Sequence, residues 1–224
     1  MSNSVLEAIH ARRSIREFEN ELVPADVIKQ LVEAAGRAPS SKNTQPWRLF
    51  LLQGAPLEAL RADYLAAFDA NRPGKPGYQY SPNPLPEVWA ARAKENGIGI
   101  FKHKGIGREE MEKRRAHDRE NFKFFGAKQV FFIGTQEGSY SYGTFFDCGF
   151  VFDNLMIGLT SLGYGSCPQF SAMAYPDLLK KHIPGSEDTL FIAALPFGRP
   201  KATAHVNAYQ PSRDALDKWF KVVG

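Results

Sequence analysis

Between Phe145 and Leu162 the chain is mostly apolar, and this stretch constrains the fold more than any other. It is too long for a buried strand, so it predicts a buried helix, with Gly163 to cap it. A helix of that kind must be covered by other elements. Three short apolar runs are available as strands: Trp47–Leu52, Gln129–Thr135 and Leu190–Leu195. Helical patterns separate them, which points to an α+β or α/β domain.

The remaining segments fit that frame. Ser4 with Glu7 reads as a capping box that starts a short helix running to about Arg12. Pro24 suits the first turn of the next helix, and Val27, Ile28, Leu31, Val32 and Ala35 form its apolar stripe. Gly36 and Pro39 end it, and Ser40–Gln45 is a polar loop. Leu57–Phe68 is helical. From Asn71 to Pro86 the chain carries Pro73, Gly74, Pro76, Gly77, Pro82, Pro84 and Pro86, a density that forbids regular structure. Further helices are expected over 87–96 and 108–125, separated by a glycine-rich stretch over 97–107. Residues 71–120 therefore read as an insertion into one domain spanning 1–224. The apolar residues of the tail, Tyr209, Leu216, Trp219 and Phe220, are expected to pack on something, a partner subunit being one candidate.

Composition narrows the function classes. With 224 residues, 43% of them hydrophobic and 23% charged, the chain can bury a substantial core. The formal charge of +4 suits an anionic ligand but not a nucleic-acid surface. The basic stretch 102–128 interleaves nine Lys or Arg with five acids, so it reads as a solvated helix face. Cys148 and Cys167 form no CxxC, which favours a reduced, cytoplasmic chain, and no metal site is expected. No leader-like segment and no membrane span is read. His103 and His117 read as surface residues. The GxG pairs at Gly97 and Gly105 lack the third glycine of a dinucleotide loop.

Two segments carry chemistry. Arg12-Arg13-Ser14-Ile15-Arg16 offers guanidinium forks and a hydroxyl, the donors that a phosphate dianion needs. A solvated helix end would also favour arginines there. Ser40-Ser41-Lys42-Asn43-Thr44-Gln45 offers donors and acceptors for the edge of a ring system, or is a loop whose side chains bond their own backbone.

As a pair, these segments resemble the nitroreductase family of FMN enzymes, in which a short helix leads to R-x-S-x-[RK] and a second helix ends in P-S-x-x-N-x-Q-P-W. Ala38–Trp47 matches the second motif in order and separation. The resemblance continues at Leu162–Pro168 and at Pro211-Ser212-Arg213, and passes over the insertion. It implies an α+β fold with a central mixed sheet surrounded by helices, in an intertwined homodimer. It further implies that Arg12 and Arg213 hold the FMN phosphate with Ser14 nearby, and that Arg13 and Arg16 reach the ribityl chain and the pyrimidine edge. Ser40, Ser41 and Asn43 would come from the partner subunit. Pro168, Gln169, Phe170 and Ser171 would line the ring, with a main-chain N–H directed at flavin N5. Asn121 and Lys123 would contact the pyrimidine edge. Where some relatives carry an acidic residue after the proline, this chain has Gln169 and Phe170, which affects side-chain contacts more than main-chain ones.

The activity so implied is ping-pong hydride transfer through N5, from NADH or NADPH to a nitroaromatic, quinone or similar acceptor. The cofactor carries the chemistry, so no side chain is expected to be an indispensable nucleophile or acid–base catalyst. Other outcomes are an enone reductase or dehalogenase on the same fold, or a non-catalytic flavin-binding module. Tyr78, Tyr80, Trp89 and Phe101 read either as a lid over the flavin or as the core of the insertion.

Overall fold

The computed structural model describes residues 4–224; Met1–Asn3, part of the segment read for a leader, lie outside the described residues. Seven α-helices and four strands follow in chain order. They are α1 (Val5–Ala11), α2 (Ala25–Ala35), β1 (Arg48–Gln53), α3 (Gly54–Asp69), α4 (Glu87–His103), α5 (Met111–Phe122), β2 (Gln129–Gln136), α6 (Tyr142–Ser161), β3 (Gly165–Ser166), α7 (Pro176–His182) and β4 (Thr189–Gly198). The sheet order is β1-β2-β4-β3, with antiparallel ladders throughout. Its mixed character is confined to one parallel bridge, Ser14 to Ser166.

Strand alternation divides the core into two layers. Phe131 and Ile133 of β2 face a layer shared with Leu31 of α2 and Val151, Leu155 and Leu159 of α6. Val130 and Phe132 face the opposite layer, with Leu57, Leu60 and Tyr64 of α3 and Leu179 of α7. Covered on both faces, β4 is buried along its whole length. The apolar segment expected over 145–162 is α6, started by a Ser141–Thr144 capping box and followed by Gly163 at φ 80°.

Three expectations need correction. The first strand is only half-buried, because β1 pairs with β2 alone and lies at the sheet edge. The helix expected over 87–96 runs on to His103, straight through Gly97 and Gly99. Gly99 is there for space: a Cβ would run into the ring of Tyr209, so the tail packs against bare helix backbone. The helix expected over 108–125 is shorter, Met111–Phe122, since Phe124 and Phe125 take positive φ in the turn leading to β2. The short β3 and α7 had no periodic signal in the sequence.

The segment 71–86 has no helix or strand, as its prolines require. It is nonetheless tied down: Lys75 N–H donates to Ala174 O at 2.8 Å, and Tyr78 OH donates to Ile192 O at 2.5 Å. Of the four apolar tail residues singled out from the sequence, Tyr209 is buried, while Leu216, Trp219 and Phe220 are exposed. Among the described residues, no helix is long and apolar enough to cross a membrane.

Candidate functional site

The arm leaving α1 is laid along the end of the sheet. Ile15 N–H donates to Ser166 O at 2.9 Å, and Ile15 and Phe18 are buried. Gly165 allows this approach, since a Cβ there would strike Ile15 and come within 2.9 Å of Pro200. From the other side the arm is held by Asn207, which is 5% exposed. Its side chain accepts from Arg16 N–H at 2.8 Å and donates to the main-chain oxygens of Glu17 (2.8 Å) and Lys201 (3.2 Å). Its own carbonyl accepts from Arg13 Nε at 2.7 Å. Sequence reasoning missed Asn207; a lone Asn in a tail carries no motif.

This clamp fans the arginines into one cavity. Arg12, Arg13, Ser14 and Arg16 line a space of about 380 Å³ together with Arg213. Residues distant in sequence, matched separately to the phosphate-binding pattern, thus meet in one place. None of the three guanidiniums of Arg12, Arg16 and Arg213 is in an ion pair among the described residues; Arg16 Nη1 spends one bond on Ser14 O, and Arg213 Nη1 bonds the main chain of Pro211 and Ser212. Unpaired arginines around one cavity are the donors that an anion needs.

The same docking brings Cys167 beside the arm, at the head of the segment Pro168–Ser171. Gln169 forms an antiparallel bridge to Ala194, with reciprocal N–H···O bonds of 2.8 and 2.9 Å. Gln169 itself is buried, and its Nε2 donates to the main-chain and side-chain oxygens of Asn121 at 3.1 and 3.3 Å. This ties the end of α5 to the predicted ring-lining segment. Lys123 follows at the end of α5, paired with Glu120 at 2.6 Å while its carbonyl accepts from Arg61. Phe170 stacks on Tyr80, ring centroids 3.8 Å apart. Behind them Tyr78, Phe145, Phe152 and Ile192 line an apolar cavity of about 340 Å³. Tyr78 and Tyr80 thus lie with Phe170 around one cavity, whereas Trp89 and Phe101 lie elsewhere, on α4.

Ser40, Ser41 and Asn43 do not join this cavity within one chain. Their loop is mostly exposed and holds Lys42, Asn43 and Gln45 at positive φ. It is fastened by Gln45 N–H to Ser40 Oγ (3.0 Å) and by Ser41 N–H to Asp147 Oδ2 of α6 (3.2 Å). Such backbone is costly for non-glycine residues and concentrates at functional sites.

Burial, with help from Asp147, pushes the Cys148 thiol up to about 12, and burial also raises Cys167, so neither is a ready thiolate. Among the described residues, no cluster of His, Cys, Asp and Glu is arranged to hold a metal. His117 departs from the surface residue expected. It is half-buried edge-on against Phe101, with Nδ1 unpartnered, and burial together with Lys104 and Arg16 lowers its pKa to about 4.

Comparison with known proteins places this geometry. Residues 9–199 match the profile of the Nitroreductase family. A nitrobenzene nitroreductase from Ectopseudomonas oleovorans is 30% identical over 97% of this chain and 96% of its own length. A chloronitrobenzene nitroreductase from Comamonas testosteroni is 28% identical over 97% and 96%. The crystal structure of the FMN-dependent nitroreductase NfnB from Mycobacterium smegmatis, in complex with NADPH, superposes with a TM-score of 0.92 at 26% identity, over 98% of both chains.

Proposed function

The chain belongs to the nitroreductase family, and from that premise we propose an FMN-dependent oxidoreductase that takes electrons from NAD(P)H and passes them to a nitroaromatic or quinone-like acceptor. The observation that carries this reading is the convergence of Arg12, Ser14, Arg16 and Arg213 on one cavity, with Ser14 bridged to Ser166 just ahead of Pro168–Ser171. These residues fit FMN: the donors are cationic where a phosphate is needed, and the main chain is rigid where a ring must be registered.

In this reading Arg12 and Arg213 bind the phosphate and Ser14 adds a hydroxyl. Arg13 and Arg16 face the ribityl chain and the pyrimidine edge, joined there by Asn121 and Lys123. Pro168, Gln169, Phe170 and Ser171 line the ring, and a main-chain N–H among them aims at N5. Ser40, Ser41 and Asn43 complete the site from the partner subunit, since one chain leaves them away from the arginine cavity. Bound FMN would supply reversible hydride acceptance at N5. The protein orients it, neutralises charge at the pyrimidine edge and excludes water. Tyr78 and Tyr80 do the last of these, and on that basis residues 71–120 form the lid. The aromatic walls around Phe170 favour a flat acceptor. Two sites form at a homodimer interface that covers the faces of α1 and α6 on which Leu6, Ile9, Tyr142 and Phe146 are exposed. Both cysteines are free, as expected for an enzyme of the cytoplasm.

The test is a visible spectrum of the FMN-loaded protein before and after anaerobic NADH or NADPH. Bleaching by either nucleotide, reversed by a nitroaromatic acceptor, is expected. Absence of FMN uptake removes the reading; uptake without bleaching reduces the protein to a flavin-binding module.

A further inference from the structure

One face of α4 is given over to the tail. Arg92, Glu95, Gly99 and His103 recur at the spacing of a single helical stripe, and each meets a tail residue. Arg92 is ion-paired with Asp214, and Glu95 Oε1 accepts from Ser212 Oγ at 2.8 Å. The ring of Tyr209 takes the space that a Cβ on Gly99 would need, and the His103 ring lies 5.1 Å from it, centroid to centroid. The tail therefore runs back along the helix, from its last turns at Tyr209 to its second turn at Asp214.

Ser212 and Asp214 direct their side chains to α4. Arg213, between them, is the one of the three that lines the arginine cavity with Arg12 and Ser14. The hold on its own guanidinium is local: Nη1 donates to the main-chain oxygens of Pro211 and Ser212 at 3.2 and 2.9 Å. Arg213 is exposed, and so are Leu216, Trp219 and Phe220 beyond it. A chain end in that position frays unless it is tied down. A long arginine side chain also loses rotamer freedom when it closes on a ligand, which lowers affinity unless its main chain is already in place.

We propose that Arg92 and Glu95 are positioning residues for the cofactor phosphate, holding the tail so that Arg213 stands ready at the arginine cavity. Helix α4 lies within residues 71–120, so the segment proposed above as a lid also helps to retain the cofactor. This inference rests on the flavoenzyme reading, in which Arg213 binds the FMN phosphate. Each tie is a surface contact and weak alone. The two matter together because they fix the residues on either side of Arg213.

The experiment titrates the full-length protein with FMN and with riboflavin, which share the ring and differ in the phosphate. Arg92→Ala and Glu95→Ala are each expected to weaken FMN binding about two- to fivefold, and the pair about tenfold. The pair leaves the net charge unchanged, so its loss is not a long-range charge effect. Riboflavin affinity stays at the wild-type level throughout. Glu95→Gln keeps the acceptor oxygen for Ser212 and binds FMN at least as tightly as the wild type. In an Arg213→Ala background the paired substitution has no further effect, since nothing is left to position. Equal losses for FMN and riboflavin overturn the proposal. So does an unchanged FMN affinity in the paired variant, or the same loss with Arg213 already removed. In those three cases the wild type still binds FMN and the flavin reading stands. A wild type that binds neither flavin removes that reading, and the positioning role with it.

Discussion

The Arg12–Arg16 arm and the Ser40–Gln45 loop are two polar segments with unlike support. The arm is bonded on both sides, to Ser166 by Ile15 and to Asn207 by Arg13 and Arg16, and Ile15 within it and Phe18 just beyond it are buried. The loop is exposed, held to α6 by one hydrogen bond, and keeps three non-glycine residues at positive φ. One chain is therefore enough to build the arginine cavity, whereas the loop, in the function proposed above, is completed by a partner subunit. Preorganisation and, on that proposal, readiness for a partner are different ways to spend backbone order within the first fifty residues.

The comparison breaks most decisively at Gly165. Gly165→Val pushes Ile15 off the sheet end, and overpacking of this kind costs about 1–3 kcal/mol. A fall in melting temperature together with loss of FMN uptake is expected; unchanged uptake would show that the arm does not need its seat. Asn207→Ala comes next. It strands several main-chain groups of the arm and the loop after β4, at about 1–3 kcal/mol, or several degrees of melting temperature for a chain of this size. Arg12→Ala leaves the fold intact and weakens FMN binding about 10- to 100-fold, which equilibrium titration measures.

His117 reports on the positive charge around the arm through pH. Its folded pKa of about 4 lies below the ordinary 6.5, so the unfolded chain binds the extra proton between those values. Stability contributed by the neutral ring is full above pH 6.5 and is lost as pH falls towards 4. In His117→Gln, denaturation midpoints across that window should slope less; an unchanged slope would show that the ring is solvated. The smallest effect belongs to the loop. Asp147→Asn weakens its one tie to α6 and shifts stability by less than about 1 kcal/mol, but it should raise the protein concentration needed for FMN binding.

Legibility in the sequence followed periodicity and motif density. The α6 run, the central strands and the proline-rich segment were plain because burial and chain stiffness act locally. The arginine and serine motifs were plain because phosphate chemistry restricts residue choice. The last turns of α4 were hidden, since Gly97 and Gly99 argue against a helix until Tyr209 is seen to need the space. Asn207 and His117 were hidden for a related reason: their surroundings depend on which distant segments face them. His117 looked solvated within a charged helix and is half-buried because α4 lies across it.

The most direct test of the two-sided site is a heterodimer. Arg12→Ala protomers and Ser41→Tyr protomers, the second carrying a loop too bulky for the flavin, are co-expressed with different tags and purified as a mixed pair. If arm and loop of one site come from different subunits, the mixed dimer has one site with both lesions and one with neither. Two-fold symmetry then predicts roughly half the wild-type FMN per dimer, bound with wild-type affinity. FMN binding no better than in the two mutant homodimers would contradict the account, and would place arm and loop of each site in the same chain.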